Sequence, residues 1–160
     1  MARSLLLVCF FQLPFWIAGA EWPTASFPAD PGLDLEKAWE SLQSIIGTWT
    51  SNEEDYIEWE WDSAKSLKKT LVNGERQREI GRLIKKEDKI IYQLKTKEKQ
   101  FILQLSTISP KSWTFEAKTD QLLQTVELLV TDEGILRSQM TAVSPSGRRM
   151  NMHSDLQPRN

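Results

Sequence analysis

The hydrophobic period of the sequence changes at Gly47, and this change constrains the fold more than any other feature. From Asp34 to Gly47, apolar residues recur at spacings of three and four, which is typical of one amphipathic helix. After Gly47, apolar and polar residues alternate in short runs that end in turn signals such as Asn73-Gly74. The runs recur about every eight to twelve residues. This pattern predicts an all-β fold with one short N-terminal helix, closed into an antiparallel up-and-down β-barrel of about 8–10 strands.

The chain before Asp34 divides into two segments. Residues 1–20 have the three parts of a secretion signal: a positive start at Arg3, a short apolar core, and a small-residue cleavage site at Ala18-Gly19-Ala20. The apolar core is too short to span a bilayer comfortably. Residues 21–33 are rich in proline and glycine and predict a linker, so residues 34–160 form the barrel domain. We therefore expect a secreted or periplasmic protein with no stable membrane span after cleavage.

The composition of the mature chain excludes several classes of site. The only cysteine, Cys9, lies in the signal segment, so the mature chain has no disulfide, thiolate metal site or cysteine nucleophile. Loss of Arg3 leaves 19 basic and 22 acidic residues, a net charge of −3. An exported, net acidic chain argues against a nucleic-acid partner. The pattern contains no metal-ligand spacing and no catalytic constellation, so we expect a protein that is not an enzyme. It does not set the oligomeric state.

Charge is distributed unevenly along the strands. Six acidic residues and no basic one lie between Glu53 and Asp62, whereas the segment from Lys65 to Lys99 has twelve basic and five acidic residues. Pairing of an acidic strand with a basic one is the preferred interpretation, and a surface for an anionic partner is the alternative. The pattern does not decide which side chains between Arg76 and Ile84 point into the barrel. If the arginines of this run point inward, they would form a carboxylate clamp.

Several short motifs resemble the lipocalin and fatty-acid-binding superfamily, and more closely the lipocalin-like domains of small secreted bacterial proteins of uncharacterised function. The resemblance covers roughly residues 42–152. It rests on Gly47-Thr48-Trp49, Glu58-Trp59, Phe115-Glu116 followed by Val126-Glu127-Leu128, and Ser146-Gly147-Arg148. The sequence departs from these proteins between residues 118 and 123, which contain neither the histidine nor the proline often found there.

The resemblance also implies a structural role for residues at the barrel floor. In such proteins the tryptophan of the Gly-x-Trp motif packs under a basic side chain from the last strands. Here Gly47 and Trp49 would form the floor, and Arg137 or Arg148 would supply the cation–π contact.

Aromatic residues in the strands are the candidates for ligand contacts. Core packing is the preferred role of the tryptophans, because a barrel interior must be filled, and an aromatic-lined pocket is the alternative. The candidate ligand-binding residues are Trp59, Trp61, Phe101, Trp113, Phe115 and Arg78. We expect no cofactor. Haem ligation through His153, the only histidine, is the alternative to a solvated surface position.

Three functions remain open from the sequence, the third being an enzyme that depends on haem or on carboxylates. The first is a secreted or periplasmic binding protein of lipocalin-like type that holds a small apolar or amphipathic ligand in the barrel. The second is a non-catalytic envelope interaction module with a filled barrel interior. An enclosed space with inward arginine or tryptophan side chains would favour the first.

Overall fold

The computed structural model describes residues 32–52, 54–96, 100–118 and 122–159. The predicted signal segment and all but the last two residues of the predicted linker lie outside these ranges. Helix α1 spans Leu35–Ser41 and continues into a 3₁₀ turn, Leu42–Ile45. Ten strands follow: β1 (Gly47–Thr50), β2 (Asp55–Ser63), β3 (Ser66–Asn73), β4 (Arg76–Lys85), β5 (Ile90–Lys95), β6 (Gln100–Ser109), β7 (Ser112–Lys118), β8 (Leu123–Val130), β9 (Leu136–Val143) and β10 (Arg149–Pro158). Within the described ranges, the helix is too short to cross a membrane.

The ten strands form one closed barrel in which every strand pairs antiparallel with its neighbours in sequence. The predicted up-and-down β-barrel with one short N-terminal helix is therefore confirmed. The barrel closes where β1 meets β10, through the register pairs Trp49–Pro158 and Thr50–Gln157. One further backbone bond, from the Arg159 amide to the Thr48 carbonyl at 2.8 Å, extends this seam. The seam is short compared with the eight register pairs that join β9 and β10.

Helix α1 and the 3₁₀ turn close one end of the barrel, which we call the floor. The carboxylate of Asp34 caps α1 by accepting a hydrogen bond from the Lys37 amide at 3.0 Å. Leu42 and Ile45 are completely buried. The indole of Trp49 donates to the Ile45 carbonyl at 2.8 Å, so the first strand is joined to the turn that precedes it. Gly47 has a φ of +139°, a backbone conformation that favours glycine at the change from helix to strand.

Two tryptophans, one on α1 and one on β7, fix the helix to the floor. The indole of Trp39 on α1 donates to the Ala64 carbonyl in the β2–β3 turn at 3.2 Å. The indole of Trp113 on β7 donates to the Ser41 hydroxyl at the end of α1 at 2.7 Å. Both bonds join elements that are distant in sequence, so the floor end of the barrel is tied to the helix from two sides.

A bulge at Ile80 sets the facing of the arginine-rich strand β4. Lys69 on β3 pairs with Gly81, whereas the next residue, Thr70, pairs with Glu79, so Ile80 is an extra residue on β4. Residues paired across strands share a face of the sheet. On the floor side of the bulge, Leu83 faces inward and Arg82 outward. On the other side, Arg76 and Arg78 are on the inner-face register, because Arg78 pairs with Leu71 and Leu71 with the buried Ile57.

Along β7 the inward side chains become smaller with distance from the floor. On β7 the inward side chains are Trp113 next to the floor, then Phe115, then Ala117, and all three are buried. The register row through Ala117 continues with small or flexible side chains, Gln124, Ala142 and Met150. Half-buried inward residues also lie in the part of the barrel away from the floor, which we call the mouth: Leu71, Arg78, Leu94, Met150 and Met152.

Candidate functional site

Lys69 is the one charged residue among the buried polar side chains of the described chain, with 6% of its surface exposed. It lies on the inner face of β3 because the alternation Leu67, Lys68, Lys69 places Leu67 and Lys69 inward and Lys68 outward. Its register partners are Trp59 on β2 and Gly81 on β4. A lysine ammonium is therefore enclosed at mid-height in a barrel whose inner face is mostly apolar.

Two aromatic rings, those of Trp59 and Tyr92, lie against the Lys69 amine, and Phe115 packs on Tyr92; we call these four residues the interior cluster. The Lys69 Nζ donates a hydrogen bond to the Tyr92 hydroxyl at 3.2 Å. It also lies 5.4 Å from the ring centroid of Trp59 and 5.9 Å from that of Tyr92, which is within cation–π range. The Tyr92 ring packs edge-on against Phe115, with a centroid distance of 5.4 Å.

Gly81 makes room for this cluster. A Cβ atom at position 81 would lie 3.2 Å from Cε2 of Tyr92 and 3.1 Å from the Gln93 carbonyl oxygen. It would also be in ordinary contact, 3.5 Å, with Cδ of Lys69. The absence of a side chain at Gly81 therefore allows the tyrosine ring and the lysine stem to lie side by side across β4.

Burial changes the protonation of both polar members of the cluster. Desolvation lowers the pKa of Lys69 to about 8, because the charged amine loses its water. Desolvation also raises the pKa of Tyr92, so its phenol stays protonated and remains a hydrogen-bond donor. Near neutral pH the site thus offers an amine that titrates close to the working range and a neutral phenol 3.2 Å away.

Two further polar atoms on the inner face are buried without a hydrogen-bond partner among the described residues. The Nε1 donor of Trp59, inside the interior cluster, is one. The Oε1 acceptor of Gln124 is the other, whereas its Nε2 makes a weak contact with the Met140 sulfur at 3.4 Å. Buried polar groups are normally satisfied. An interior donor and an interior acceptor are therefore available to a polar molecule.

The structure brings some of the predicted ligand-contact residues together and separates others. Trp59 and Phe115 both belong to the interior cluster. Phe101 is buried in the same register row, since it pairs with Leu94, which pairs with Gly81. Trp113 lies at the floor with its indole bound to Ser41. Arg78 is half-buried at the mouth.

Trp61 lies outside this group. It is 41% exposed, and its ring packs edge-on against Trp39 of α1, with a centroid distance of 5.7 Å. The predicted clamp of inward arginines is divided by the bulge at Ile80. The guanidinium of Arg82 points outward and bonds to Glu79 at 3.0 Å and to Asp62. Only Arg76 and Arg78 remain on the inner-face register.

The structure places the predicted floor residues at three different locations. Gly47 and Trp49 are at the floor. Arg137 is on the outer face, between the buried Leu136 and Ser138, where its guanidinium makes two hydrogen bonds to Asp155 at 2.7 and 2.8 Å. The barrel wall therefore separates Arg137 from the inward Trp49, and the cation–π contact implied by the resemblance is not made by Arg137.

Arg148 lies at the other end of the barrel from Trp49. It is exposed in the β9–β10 turn. Trp49 pairs with Pro158 at the far end of β10, about 30 Å away at ~3.3 Å per residue. A different arginine near the C-terminus covers an aromatic ring: the guanidinium of Arg159 lies 4.3 Å from the ring centroid of Tyr56.

His153 is exposed on β10, where its register partner is the exposed Gln139. Its imidazole thus points away from the barrel interior and does not reach a group bound there. Among the described residues, no three His, Cys, Asp or Glu side chains are grouped closely enough to hold a metal ion.

Sequence reasoning missed Lys69 and Tyr92 as site residues. The signal was present in the alternation, because a strand with Leu67 and Leu71 on one face carries Lys69 on that same face. Tyr92 is likewise flanked by Ile90 and Leu94 at a period of two. Because lysines are almost never fully buried, the alternation was not read as placing Lys69 inside the barrel.

Neither a scan against protein-family models nor a search of curated proteins finds a match to this chain.

Proposed function

We propose that this protein is a secreted or periplasmic binding protein of lipocalin-like type that holds a small amphipathic molecule in its barrel. In this proposal the polar group of the ligand binds the interior cluster and its apolar body extends toward the mouth. The observation that carries the proposal is the ammonium of Lys69 inside the barrel. The closed ten-strand architecture supports it, because barrels of this kind can enclose one small ligand.

The buried amine is costly for a chain that needs only a stable core. Removal of a charged amine from water is unfavourable, and the lowered pKa of Lys69 reports that cost. A methionine at this position would fill a similar volume with no charge. Destabilising groups of this kind concentrate at functional sites, where activity and stability are in conflict. The retained lysine therefore supports binding of a polar or anionic group.

The chemistry of the cluster selects a class of ligand. The Lys69 ammonium and the Trp59 indole are both hydrogen-bond donors on the inner face, so the bound group should carry an acceptor oxygen, such as a carboxylate or a carbonyl. The half-buried Leu71 and Leu94 lie on the same face as Lys69. Leu94 is in the register row of Lys69, and Leu71 is two residues nearer the mouth on β3. An apolar chain of moderate length would contact them, and the flexible methionines near the mouth can adapt to its shape.

Titration with dodecanoate tests the proposal, with intrinsic tryptophan fluorescence and calorimetry as readouts. We expect saturable binding of one molecule per barrel. Lys69→Met should weaken it by roughly 10- to 100-fold, the value of a charge-assisted hydrogen bond. Lys68→Met is the matched control: Lys68 is the preceding residue, faces outward and pairs with Glu60 at 2.7 Å, so its loss should leave the affinity unchanged.

Two results would contradict the proposal: the absence of saturable binding to the unaltered protein, or equal affinity in the Lys69→Met variant. Native mass spectrometry of protein purified from its own host gives an independent test, since a co-purifying acidic or carbonyl-bearing lipid supports the proposal directly.

The second candidate is an envelope interaction module with a filled interior. It is favoured by the large side chains on the inner face near the floor, several of which have less than 2% of their surface exposed. The same titration distinguishes the two, because a filled barrel would bind no dodecanoate at any concentration below its micelle threshold.

A further inference from the structure

We infer that the amine of Lys69 captures apolar aldehydes covalently, as a reversible imine inside the barrel. The inference rests on the proposed function, since the aldehyde must first enter as a ligand. It adds a chemical step that simple retention of a ligand does not need. Its basis is the geometry of the interior cluster: an enclosed primary amine, a phenol in hydrogen-bond contact with it, and aromatic rings on two sides.

The reaction balances without an oxidant or a reductant. The Lys69 nitrogen attacks the carbonyl carbon, and one of its protons moves to the carbonyl oxygen to give a carbinolamine. A second proton leaves the nitrogen as the hydroxyl departs as water, and a carbon–nitrogen double bond forms. Hydrolysis reverses each step. Imine formation by a desolvated lysine is an established route of covalent catalysis and capture.

Tyr92 is placed to move the protons. Its hydroxyl lies 3.2 Å from Nζ of Lys69, within reach of an oxygen bonded to the attacked carbon. Because burial raises the pKa of the Tyr92 phenol, the group enters the reaction protonated and can donate to the departing hydroxyl. It then regains a proton as the nitrogen loses one, so Tyr92 is unchanged at the end.

The surroundings favour the imine over its hydrolysis. Lys69 is 6% exposed and the aromatic rings of Trp59 and Tyr92 lie against it, so the concentration of water at the carbon–nitrogen bond is low. A protonated imine keeps the positive charge of the amine. The Trp59 ring, 5.4 Å from Nζ, would therefore stabilise the adduct by the same cation–π contact that it makes with the lysine.

Selectivity for Lys69 over the surface lysines follows from protonation. At pH 7.4 an amine with a pKa of about 8 has about 200-fold more of its neutral form than one at 10.5. The less basic amine is also a weaker nucleophile. With a Brønsted slope of about 0.4–0.5, as for thiols, the net advantage in rate is roughly 20-fold.

The test uses the full-length mature protein, dodecanal and sodium borohydride, which reduces an imine to a stable secondary amine. Intact mass and peptide mapping then count and locate the adducts. We expect one lysine adduct per chain, on Lys69, formed roughly 20-fold faster than on any other lysine. Tyr92→Phe should slow its formation without preventing it. Lys69→Arg keeps the charge but forms no imine, so it should show no adduct in the barrel.

Dodecanoate and dodecanol are titrated in parallel to separate the two proposals. Binding of either molecule without a dodecanal adduct on Lys69 would overturn the covalent inference and leave the proposed function intact. Adducts scattered over surface lysines, with Lys69 unmodified, would overturn it equally. Absence of binding by all three molecules would contradict the proposed function itself. The unaltered protein supplies each of these results, so none depends on the folding of a variant.

Discussion

Replacement of Lys69 by methionine should stabilise the protein at neutral pH, and the gain should shrink as the pH rises. Lys69 is buried at 6% exposure, and desolvation lowers its pKa from 10.5 to about 8. The native state therefore binds the lysine proton less tightly than the unfolded chain does. A methionine carries no such cost and fills similar space, so its introduction removes an unfavourable term from folding.

The pKa values set the size and the pH window of this effect. Below pH 8 the amine is charged in both states, and the native state bears the full cost, about 3 kcal/mol at pH 7. Between pH 8 and 10.5 the native amine is neutral while the unfolded amine stays charged, so the unfolding free energy of the unaltered protein rises with pH. The advantage of Lys69→Met should fall to about 1 kcal/mol at pH 9.5.

Urea unfolding at pH 7 and pH 9.5, followed by tryptophan fluorescence, measures this difference. A gain of about 3 kcal/mol raises the midpoint by roughly 1–3 M urea. Comparison of the two proteins at each pH cancels the ionisation of tyrosines, including Tyr92, which both contain. Lys68→Met is the control: the hydrogen bond that Lys68 donates to Glu60 raises the pKa of Lys68, so its stabilising effect is present throughout this pH range and its removal should give a small, pH-independent loss.

A loss of stability in Lys69→Met at pH 7, or an effect on stability that is the same at both pH values, would contradict a desolvation cost at Lys69. Either outcome would mean that the native barrel solvates the amine as well as water does. If Lys69→Met gains stability and also loses dodecanoate binding, then Lys69 lowers the stability of the protein and is needed for binding. This is the pattern expected of a functional group that reduces stability.

Three other substitutions examine the packing and the charges around the site. Gly81→Ala places a methyl group 3.2 Å from the tyrosine ring of the interior cluster, so urea unfolding should show a loss of about 1–3 kcal/mol, and an unchanged midpoint would contradict the close packing described here. Ser41→Ala removes the acceptor for the Trp113 indole, so thermal unfolding should show a loss of about 1–3 kcal/mol. A loss below about 0.5 kcal/mol, the usual effect of substituting a surface residue with no special contact, would argue against a stabilising bond between helix and barrel. The hydrogen bond from Arg82 lowers the pKa of Glu79 from 4.5 to about 2, so the stability it contributes is present above pH 4.5 and lost as the pH falls toward 2; Glu79→Gln should cost on the order of 1 kcal/mol at pH 7 and nothing near pH 2, as measured by urea unfolding at both values.

The barrel was predictable because its physical cause is repeated along the chain. Strand after strand alternates apolar and polar side chains, and short turns such as Asn73-Gly74 leave each strand next to its predecessor. Closure was also accessible, since a long meander with no other covering layer protects its edges by meeting itself. The helix was marked by its own period and by the glycine at its end.

The site was harder to predict because it depends on exceptions to average behaviour. Lysines are seldom buried, so the inward position of Lys69 was visible in the alternation but conflicted with the usual preference. The bulge at Ile80 reverses the facing of β4 partway along; the adjacent Gly81 is a sequence signal for a bulge, but a glycine does not fix which residue is the extra one. Arg137 was one of two arginines that a resemblance suggested as the partner of Trp49 at the floor, whereas its neighbours Leu136 and Ser138 are buried, so Arg137 faces outward.

The short seam between β1 and β10 has a consequence for how the chain assembles. Its register partners Trp49 and Pro158 are 109 residues apart, whereas every other pair of neighbouring strands is joined by a local hairpin. Bringing such distant segments together costs ~4 kcal/mol in loop entropy by the logarithmic rule, for only two register pairs. Hairpins should therefore form early and closure last. The interior is enclosed only when residues 157–158 have been synthesised, so a chain that ends before Gln157 would form most of the sheet but would not close it around the interior.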